Sequence, residues 1–299
     1  MTTNHKTVLL HESVDGLAIS KGDIVVDGTL GGGGHSEEIA KRFGSDITLI
    51  GIDMDTEALK RSEERIGKVT NKAYFFKDNF RNIDKVLEKA GLKNADRILL
   101  DIGLSSDQFE ISGRGFSFKR DESLLMTFSD NKEDHQFTAR DIVNEWAEES
   151  IADIIYGYGE ERFSRRIAKA IVEAREVAPI ETTFQLTKIV ESSVPFWYRK
   201  GKINPSTKTF QALRITVNDE LEALKEGIQK SFDLLSPGGR LAVISFHSLE
   251  DRIVKRFFKE KHDAKLGTLI TKKAIVPAEA EKKENPRSRS SKLRIIQKI

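Results

Sequence analysis

The fold class follows from residues 24–36, which read Ile24-Val25-Val26-Asp27-Gly28-Thr29-Leu30-Gly31-Gly32-Gly33-Gly34-His35-Ser36. The first four residues predict a short buried strand, and the glycines predict a loop whose backbone a ligand can approach closely. A helix from about residue 36 to 43 follows. In a parallel α/β sheet such a loop lies at the carboxyl edge, where ligands bind. The glycines are not followed by Gly-Lys-Ser/Thr, and they do not form a clean Gly-x-Gly-x-x-Gly. The pattern therefore excludes a P-loop and does not by itself identify a ligand.

The same alternation of apolar runs and amphipathic stretches continues for about 100 residues. Strands are expected at 24–27, 48–53, 73–76 and 97–101, and helices between them at about 56–66 and 83–90. After a segment rich in Gly, Ser, Asp and Phe, the pattern from about 138 to 200 is helical, with clear helices at 162–177 and 183–193. Farther on we expect a helix at 218–235, a turn at 237–239, a strand at 240–245, a helix at 248–262 and strands at 266–276 and 293–299. Continuous apolar strands alternating with helices predict a parallel sheet covered on both faces.

This order predicts one discontinuous α/β domain with an insertion. The α/β domain comprises residues 1–109 and 206–299, and residues 110–205 form an inserted, mainly helical domain for substrate recognition. The 299 residues suffice to bury a core in each part.

Composition excludes several classes of protein. The chain has no cysteine, which rules out disulfides, Cys-ligated zinc, iron–sulfur clusters and thiol nucleophiles. The six histidines lack the spacing of a zinc helix, so no metal site is expected. No apolar run is long enough to span a membrane, and residues 1–6 do not resemble a secretory signal. We therefore expect a cytoplasmic protein without a membrane partner.

Acidic side chains follow three of the predicted strands, namely Asp53, Asp78 and Asp101. At the carboxyl edge of the sheet they would lie close to the glycine loop. Asp53 can accept hydrogen bonds from both hydroxyls of a ribose, although an ordinary strand-end cap remains open. The carboxylates suit a ligand with a ribose and a cationic centre, such as S-adenosylmethionine, better than the pyrophosphate of NAD. For His35, two interpretations remain, a helix cap or a ligand contact. For His247 they are a residue of the cleft or a buried structural histidine.

The net charge of +2 hides a strong asymmetry. Residues 1–150 carry a net charge of −8 and residues 151–299 a net charge of +10. Chance segregation of surface charge is one explanation, and a basic face for nucleic acid is the other. Between Glu191 and Asp219 there is no carboxylate, yet cations and aromatic side chains alternate there, as single-stranded RNA binding requires. The candidate RNA-binding residues are Trp197, Arg199, Lys200, Lys202, Lys208 and Arg214.

Several blocks of the chain together resemble the bacterial RsmH (MraW) methyltransferases. They are residues 5–12, 26–36, 51–53, 101–106, 114–118, 158–163 (Tyr158-Gly159-Glu160-Glu161-Arg162-Phe163), 209–214 and 243–256. The resemblance implies a class I S-adenosylmethionine-dependent methyltransferase fold with an inserted helical domain. It implies methylation of the exocyclic N4 of one cytidine in the decoding region of 16S rRNA, within the small ribosomal subunit. It also implies cofactor contacts at Gly33, Gly34, His35, Asp53, Phe80, Asp101 and Gln108.

For catalysis we expect direct in-line methyl transfer without a covalent enzyme intermediate. Methylation of a pyrimidine at carbon 5 normally needs a thiolate, so a chain without cysteine favours attack by an exocyclic nitrogen or a hydroxyl. Asp101, Ser105 and Ser106 are the candidates to accept hydrogen bonds and the proton from the attacking amine. Two other functions remain open, a nicotinamide-dependent oxidoreductase and a non-catalytic RNA-binding assembly factor. The sequence also leaves open whether the protein forms a homodimer.

Overall fold

A computed structural model describes residues 6–103, 112–129 and 135–299. The chain forms two compact units, Met1–Ser105 with Leu221–Ile299, and Ser106–Glu220. The boundary expected at residues 205 and 206 therefore lies at residues 220 and 221. The helix Ser206–Asn218 contacts the helices of the second unit and buries Phe210 and Leu213, which explains why it belongs there.

The first unit contains a seven-stranded sheet in the order β3-β2-β1-β4-β5-β7-β6. The strands are β1 (Ile24–Asp27), β2 (Thr48–Asp53), β3 (Ala73–Lys77), β4 (Ala95–Asp101), β5 (Leu235–Ser245), β6 (Gly267–Leu269) and β7 (Lys292–Lys298). Strands β1 to β5 pair in parallel, and β7 is antiparallel to both β5 and β6. This is a doubly wound, mostly parallel and Rossmann-like sheet, and the predicted α/β fold class is confirmed.

Helices cover both faces of this sheet. In the described part of the chain the helices are α1 (Leu10–Leu17), α2 (Gly34–Phe43), α3 (Thr56–Ile66), α4 (Ile83–Lys89), α5 (Ala139–Glu145), α6 (Glu148–Gly157), α7 (Ser164–Val177), α8 (Thr183–Ser193), α9 (Phe196–Arg199), α10 (Ser206–Asn218), α11 (Glu220–Leu234), α12 (Ser248–Asp263) and α13 (Glu279–Glu284). Side chains alternate across each strand, so Val25 packs with α1, α2 and α3, and Val26 packs with α4, α11 and α12. The sheet therefore separates two apolar cores.

The second unit is mainly helical in its described residues, and α5 to α10 form it. Capping boxes begin two of these helices, with Thr138 and Asp141 at α5 and with Thr182 and Gln185 at α8. Helices α6 and α7 pack against each other through residues such as Ile151, Ile155 and Ile171, which are fully buried. Helix α7 ends at Val177, two residues before Pro179.

Three local expectations differ from the structure. The helix expected at 218–235 begins at Glu220, because Asp219 adopts a left-handed backbone with φ of 49° and ends α10. The turn expected at 237–239 lies inside β5, where the register to β4 is irregular and Gly238 has a φ of 79°. The strand expected at 266–276 is limited to β6, because the bonds to β7 become irregular beyond it: Ile270 and Thr271 both donate to the Ile295 backbone oxygen, and Ile275 forms an isolated bridge with Leu293. No helix among the described residues is long and apolar enough to cross a membrane.

Candidate active site at the carboxyl edge of the sheet

Aspartates end three neighbouring strands, β2, β1 and β4, at the same edge of the sheet. They are Asp53, Asp27 and Asp101. After β1 the chain continues to β2 on one side, whereas β4 and β5 lie on the other side. The topological switch point therefore falls between β1 and β4, where open α/β sheets bind their ligands. Sequence reasoning selected Asp53 and Asp101 and missed Asp27.

Asp27 organises the glycine loop from inside the protein. It is 1% exposed, and its carboxylate accepts hydrogen bonds from the Ser36 hydroxyl at 2.6 Å and the Thr29 backbone N–H at 3.2 Å. Burial, with a smaller contribution from the negative charge of Asp53, raises the pKa of Asp27 to about 6. Its position between the apolar strand and the first glycine was the only sequence signal for this role.

Asp53 binds the same loop from the neighbouring strand. Its two carboxylate oxygens accept hydrogen bonds from the backbone N–H of Gly31 at 2.6 Å and of Asp55 at 2.8 Å. Burial raises the pKa of Asp53. A carboxylate offers about four lone-pair sites, so sites remain for two hydroxyl donors. Asp53 thus serves the loop as a structural acceptor, and the predicted ribose contact stays a prediction.

Asp101 lies on the other side of the switch point. Burial raises the pKa of Asp101 to about 7, and the nearby negative charges of Asp27 and Glu250 add to the effect. The Asp101 backbone N–H donates to the Thr29 hydroxyl at 2.6 Å, which ties β4 to the loop. Ser105, Ser106 and Gln108, which were predicted to act beside Asp101, lie outside the described residues.

His35 connects Asp101 to the N-terminal segment. Its Nδ1 lies 3.8 Å from an Asp101 oxygen, and its Nε2 lies 3.2 Å from the backbone oxygen of Val8. The N-cap of α2 is Gly33, without a side-chain capping bond, so His35 is not the cap of this helix. His247, in contrast, is the N-cap of α12 and forms a capping box with Glu250.

The predicted cofactor glycines fit closely against protein neighbours. Gly33 has a φ of 71°, and a Cβ atom there would lie 2.6 Å from the Ser62 hydroxyl oxygen. A Cβ atom at Gly34 would overlap the Thr7 side chain. Packing alone thus requires glycine at both positions, and their contact with a cofactor stays a prediction.

Phe80 lies beside the loop, at the start of a 3-10 helix, Phe80–Asn82. Its ring packs on Gly227 of α11, where a Cβ atom would come within 2.5 Å, and its Cβ lies 3.3 Å from the position of a Cβ at Gly28. The side chain is half-buried, as a ring that stacks on a ligand would be. Asp78 accepts local hydrogen bonds from Asn79 and Asn82 and belongs to the turn.

The charges at this edge fit the predicted cofactor. Among the residues that the structure describes, no lysine or arginine nitrogen lies within 4.0 Å of the carboxylates of Asp27, Asp53 or Asp101. Carboxylates that are desolvated without a cation are destabilised; here the charge of Asp53 raises the pKa of Asp27, and the charge of Asp27 raises the pKa of Asp101. A ligand with sulfonium and ammonium charges supplies the missing cation, whereas a pyrophosphate adds more negative charge. The charges of this edge therefore fit S-adenosylmethionine, and the contacts of Asp53 and Asp101 with it stay a prediction.

The six candidate RNA-binding residues fall into two groups in the second unit. Trp197, Arg199, Lys200 and Lys202 are exposed. Lys208 donates to the Glu160 backbone oxygen at 2.8 Å, and Arg214 donates two hydrogen bonds to the Glu220 carboxylate at 2.8 and 2.9 Å. Lys208 and Arg214 thus take part in the packing of the unit.

Comparison with known proteins identifies the family. The family model described as the MraW methylase family matches residues 2–299. The chain belongs to this family. It is 44% identical over 314 residues to a protein of Lachnospira eligens, covering 100% of this chain and 99% of that one. It is 48% identical over 294 residues to a protein of Deinococcus radiodurans, covering 98% of this chain and 89% of that one. Both relatives are named ribosomal RNA small subunit methyltransferase H.

Membership in the MraW methylase family confirms the predicted resemblance and the class of enzyme, a methyltransferase. It also confirms the predicted cofactor, S-adenosylmethionine, which the charges of the strand ends fit. A nicotinamide-dependent oxidoreductase, the alternative that the sequence left open, is excluded.

Proposed function

We propose that this chain methylates 16S rRNA of the small ribosomal subunit, at the exocyclic N4 of one cytidine in the decoding region. The observation that carries the proposal is Asp101, a partly buried carboxylate at the switch point, which has a pKa raised to about 7 and, among the described residues, no lysine or arginine within ion-pair distance. The relatives' shared name supports ribosomal RNA as the substrate.

Asp101 suits two tasks in such a reaction. Its negative charge can hold a cationic methyl donor, and its pKa near neutrality suits a group that accepts a proton at physiological pH. The amine of cytosine is a weak nucleophile, because its lone pair is delocalised into the ring. An acceptor for its N–H group therefore increases its reactivity and finally takes the proton. We assign Asp101 to the cofactor first and to this acceptor role second.

The other residues at the edge hold Asp101 and the loop in place. Thr29 accepts from the Asp101 backbone, Asp27 binds both Thr29 and Ser36, and Asp53 binds Gly31. When bound, S-adenosylmethionine supplies an electrophilic methyl group for direct in-line transfer. Such transfer needs the amine nitrogen at about 3–3.5 Å from the methyl carbon, so rigid positioning provides much of the rate. Ser105 and Ser106 remain the proposed further acceptors.

The chemistry of the chain favours nitrogen over ring carbon as the site of attack. Methylation at carbon 5 needs a thiolate that adds to the ring, and the chain has no cysteine. The family resemblance favours N4 over a ribose hydroxyl. Because the target base must be accessible, we expect the enzyme to unstack the cytidine at a cost of a few kcal/mol.

The direct test is to incubate the protein with methyl-labelled S-adenosylmethionine and small ribosomal subunits that lack the modification. The RNA is then digested to nucleosides and analysed by mass spectrometry. We expect label on cytidine N4 at one position. Label at carbon 5, on ribose or on another nucleotide would contradict the proposal. Tight cofactor binding without any transfer would favour the non-catalytic assembly factor.

The Asp101→Asn variant separates the two roles of Asp101. Loss of both affinity and turnover supports the cofactor role. Normal S-adenosylmethionine affinity with full activity would exclude Asp101 from catalysis. The Asp84→Asn variant is the control, since Asp84 is a surface carboxylate of the same unit that pairs with Lys230 at 2.9 Å.

A further inference from the structure

The sequence block Tyr158–Phe163 is part of the family resemblance, but the proposed chemistry assigns it no role. In the structure this block is held in place by Glu161, whose side chain is fully buried. The Glu161 carboxylate accepts hydrogen bonds from the Tyr198 hydroxyl at 2.5 Å and from the Phe163 backbone N–H at 2.9 Å. Burial and this carboxylate raise the pKa of Tyr198 to about 12, so the phenol remains a donor. Glu161 therefore fixes α9 against the residues that precede α7.

Next to the Glu161–Tyr198 hydrogen bond, three aromatic rings and an arginine form one cluster. Phe163, Trp197 and Tyr198 pack edge to face, with ring centroids 4.9 to 6.1 Å apart. The Arg162 guanidinium lies 5.0 Å from the ring centroid of Phe163, 4.9 Å from that of Trp197 and 5.1 Å from that of Tyr198. Nearby, Phe196 is flanked by Arg199 at 5.5 Å and Lys200 at 5.7 Å. We call Arg162, Phe163, Phe196, Trp197, Tyr198, Arg199 and Lys200 the aromatic platform.

The two large apolar side chains of the platform are largely exposed to solvent. Trp197 and Phe196 are 61% and 65% exposed, although large apolar side chains are normally buried. Tyr198, in contrast, is half-buried by its bond to Glu161. The Trp197 ring contacts Arg162 and Tyr198, and most of it is open to solvent. The platform therefore presents aromatic surface to solvent.

The cations around the platform lack counter-ions. Within the described ranges, none of these exposed side chains forms an ion pair with a carboxylate: Arg162, Arg165, Arg166, Arg199, Lys200 and Lys202. Other exposed cations of the same unit are paired, such as Arg140 with Glu181 at 2.9 Å. Four of these cations, Arg162, Arg166, Arg199 and Lys200, lie against rings of the platform, and their positive charge suits a polyanion.

We propose that the aromatic platform binds a single-stranded segment of the RNA substrate, with a base stacked on Trp197 or Phe196 and phosphates at the surrounding cations. This inference rests on the proposed function for its substrate class. It adds Arg162, Arg165 and Arg166, which precede or begin α7, to the residues that sequence reasoning selected. Cationic charge beside aromatic faces is the combination that binds single strands without a strict sequence preference.

Charge and shape favour a single strand over the other polyanions. In duplex RNA the bases are stacked on each other, and an exposed indole gains nothing from them. An acidic peptide would satisfy the cations but would leave the aromatic faces without a partner. A single-stranded segment uses both parts of the platform.

Fluorescence of Trp197 tests the proposal directly. The chain has two tryptophans, so the Trp146→Phe variant leaves Trp197 as the only indole. Trp146 packs on Phe137 within the unit, and phenylalanine preserves that contact. We expect a uridine-rich single-stranded oligonucleotide to quench this signal, whereas the corresponding duplex and poly-glutamate do not. Absence of quenching by bound single strands would overturn the proposal, as would equal quenching by poly-glutamate.

Two substitutions measure the parts of the platform. Trp197→Ala should weaken single-strand binding about tenfold, as expected for one lost stacking contact, and Trp197→Phe should restore most of it. Arg162→Ala should lower the slope of log affinity against log salt by about 0.7, one phosphate contact on a single strand. The controls are Phe184→Ala, an exposed ring outside the platform, and Arg140→Ala, a paired arginine. Both controls should leave the affinity and the salt slope unchanged.

The outcomes separate this inference from the proposed function. Binding of short oligonucleotides is measured without methyl transfer, and the labelled nucleoside is measured without reference to the platform. If the wild type labels cytidine but Trp197→Ala binds single strands normally, the platform proposal fails and the function stands. If single strands bind the platform but no nucleoside is labelled, the platform proposal stands and the proposed function fails. Thermal melting of each variant confirms that a loss of binding is not a loss of folding.

Discussion

The acidic strand ends of the first unit and the aromatic platform of the second are opposite in charge but share one property. In the described residues, the strand-end aspartates have no lysine or arginine partner, and the exposed cations of the platform have no carboxylate partner. The difference lies in burial. Asp27 and Asp101 are desolvated, and their pKa values are raised to about 6 and 7, whereas the platform cations face water. The desolvated aspartates suit one small cation of fixed shape. The exposed platform cations attract an extended polyanion, and salt screens that attraction.

The largest effect is expected from removing a charge in the buried set. Asp101→Asn should weaken S-adenosylmethionine binding at least about thirtyfold, because the loss of one partner from a desolvated ion pair costs 2–5 kcal/mol. Calorimetric titration at pH 8 measures this, with Asp84→Asn as the control. Affinity within threefold of the wild type would show that the strand ends do not bind the ligand's cation.

A buried carboxylate that already has its partners should behave in the opposite way. Asp251 accepts from Lys292 at 2.9 Å and Arg294 at 2.7 Å, and these bonds lower its pKa. Asp251→Asn should lower the free energy of unfolding by about 3 kcal/mol, because it leaves the largely buried Arg294 guanidinium without its carboxylate. Asp101→Asn should stabilise the ligand-free protein at pH 8. Urea unfolding of both variants checks the contrast, and equal destabilisation would contradict it.

The pH dependence of ligand-free stability follows from the same pKa shift. The pKa of Asp101 rises from 3.8 to about 7 on folding, so the folded protein binds more protons between these values. Its contribution to stability is complete below pH 4 and is lost as the pH rises toward 7. Burial of Asp27 acts in the same direction up to about pH 6. The gain in stability of Asp101→Asn over the wild type should therefore be large at pH 8 and vanish near pH 4, as thermal melting can show.

Cofactor affinity should have the opposite pH dependence. A cationic ligand favours the ionised carboxylate, so binding releases a proton below pH 7. The affinity for S-adenosylmethionine should rise from pH 5 to pH 8, and then level off. In Asp101→Asn most of this rise should be absent. A pH-independent affinity in the wild type would place Asp101 away from the bound cation.

The fold was predictable because it depends on local patterns. The runs 24–27 and 48–53 are strands with the expected bounds, since continuous apolar residues bounded by glycine or aspartate leave few alternatives. The turn expected at 237–239 became an irregularity inside β5: residues 236–239 have no partner in β4, and Pro237 and its glycines shift the register between the pairs Ala95–Leu235 and Arg97–Arg240.

The candidate site was only partly predictable, because its chemistry depends on contacts between distant residues. Asp27 appeared to be an ordinary strand residue until Ser36, nine residues later, was seen to bind it. The window 192–218 was a sequence signal for cations, but it could not distinguish exposed Lys200 from Arg214, which Glu220 binds. Arg162 lay outside that window, and only the three rings that it touches connect it to Trp197.

The smallest expected effect distinguishes cations within the basic window. Lys200→Ala should lower the salt slope of single-strand binding by about 0.7 and leave the melting temperature unchanged, because its ammonium group is exposed and has no carboxylate partner. Lys208→Ala removes the same charge, but the Lys208 ammonium donates to Glu160 and lies 3.8 Å from buried Glu161. We expect it to lower the melting temperature and change the slope little. If Lys208→Ala reduced the slope as much as Lys200→Ala, the RNA would contact the whole window, and the platform would be only one part of a larger basic face.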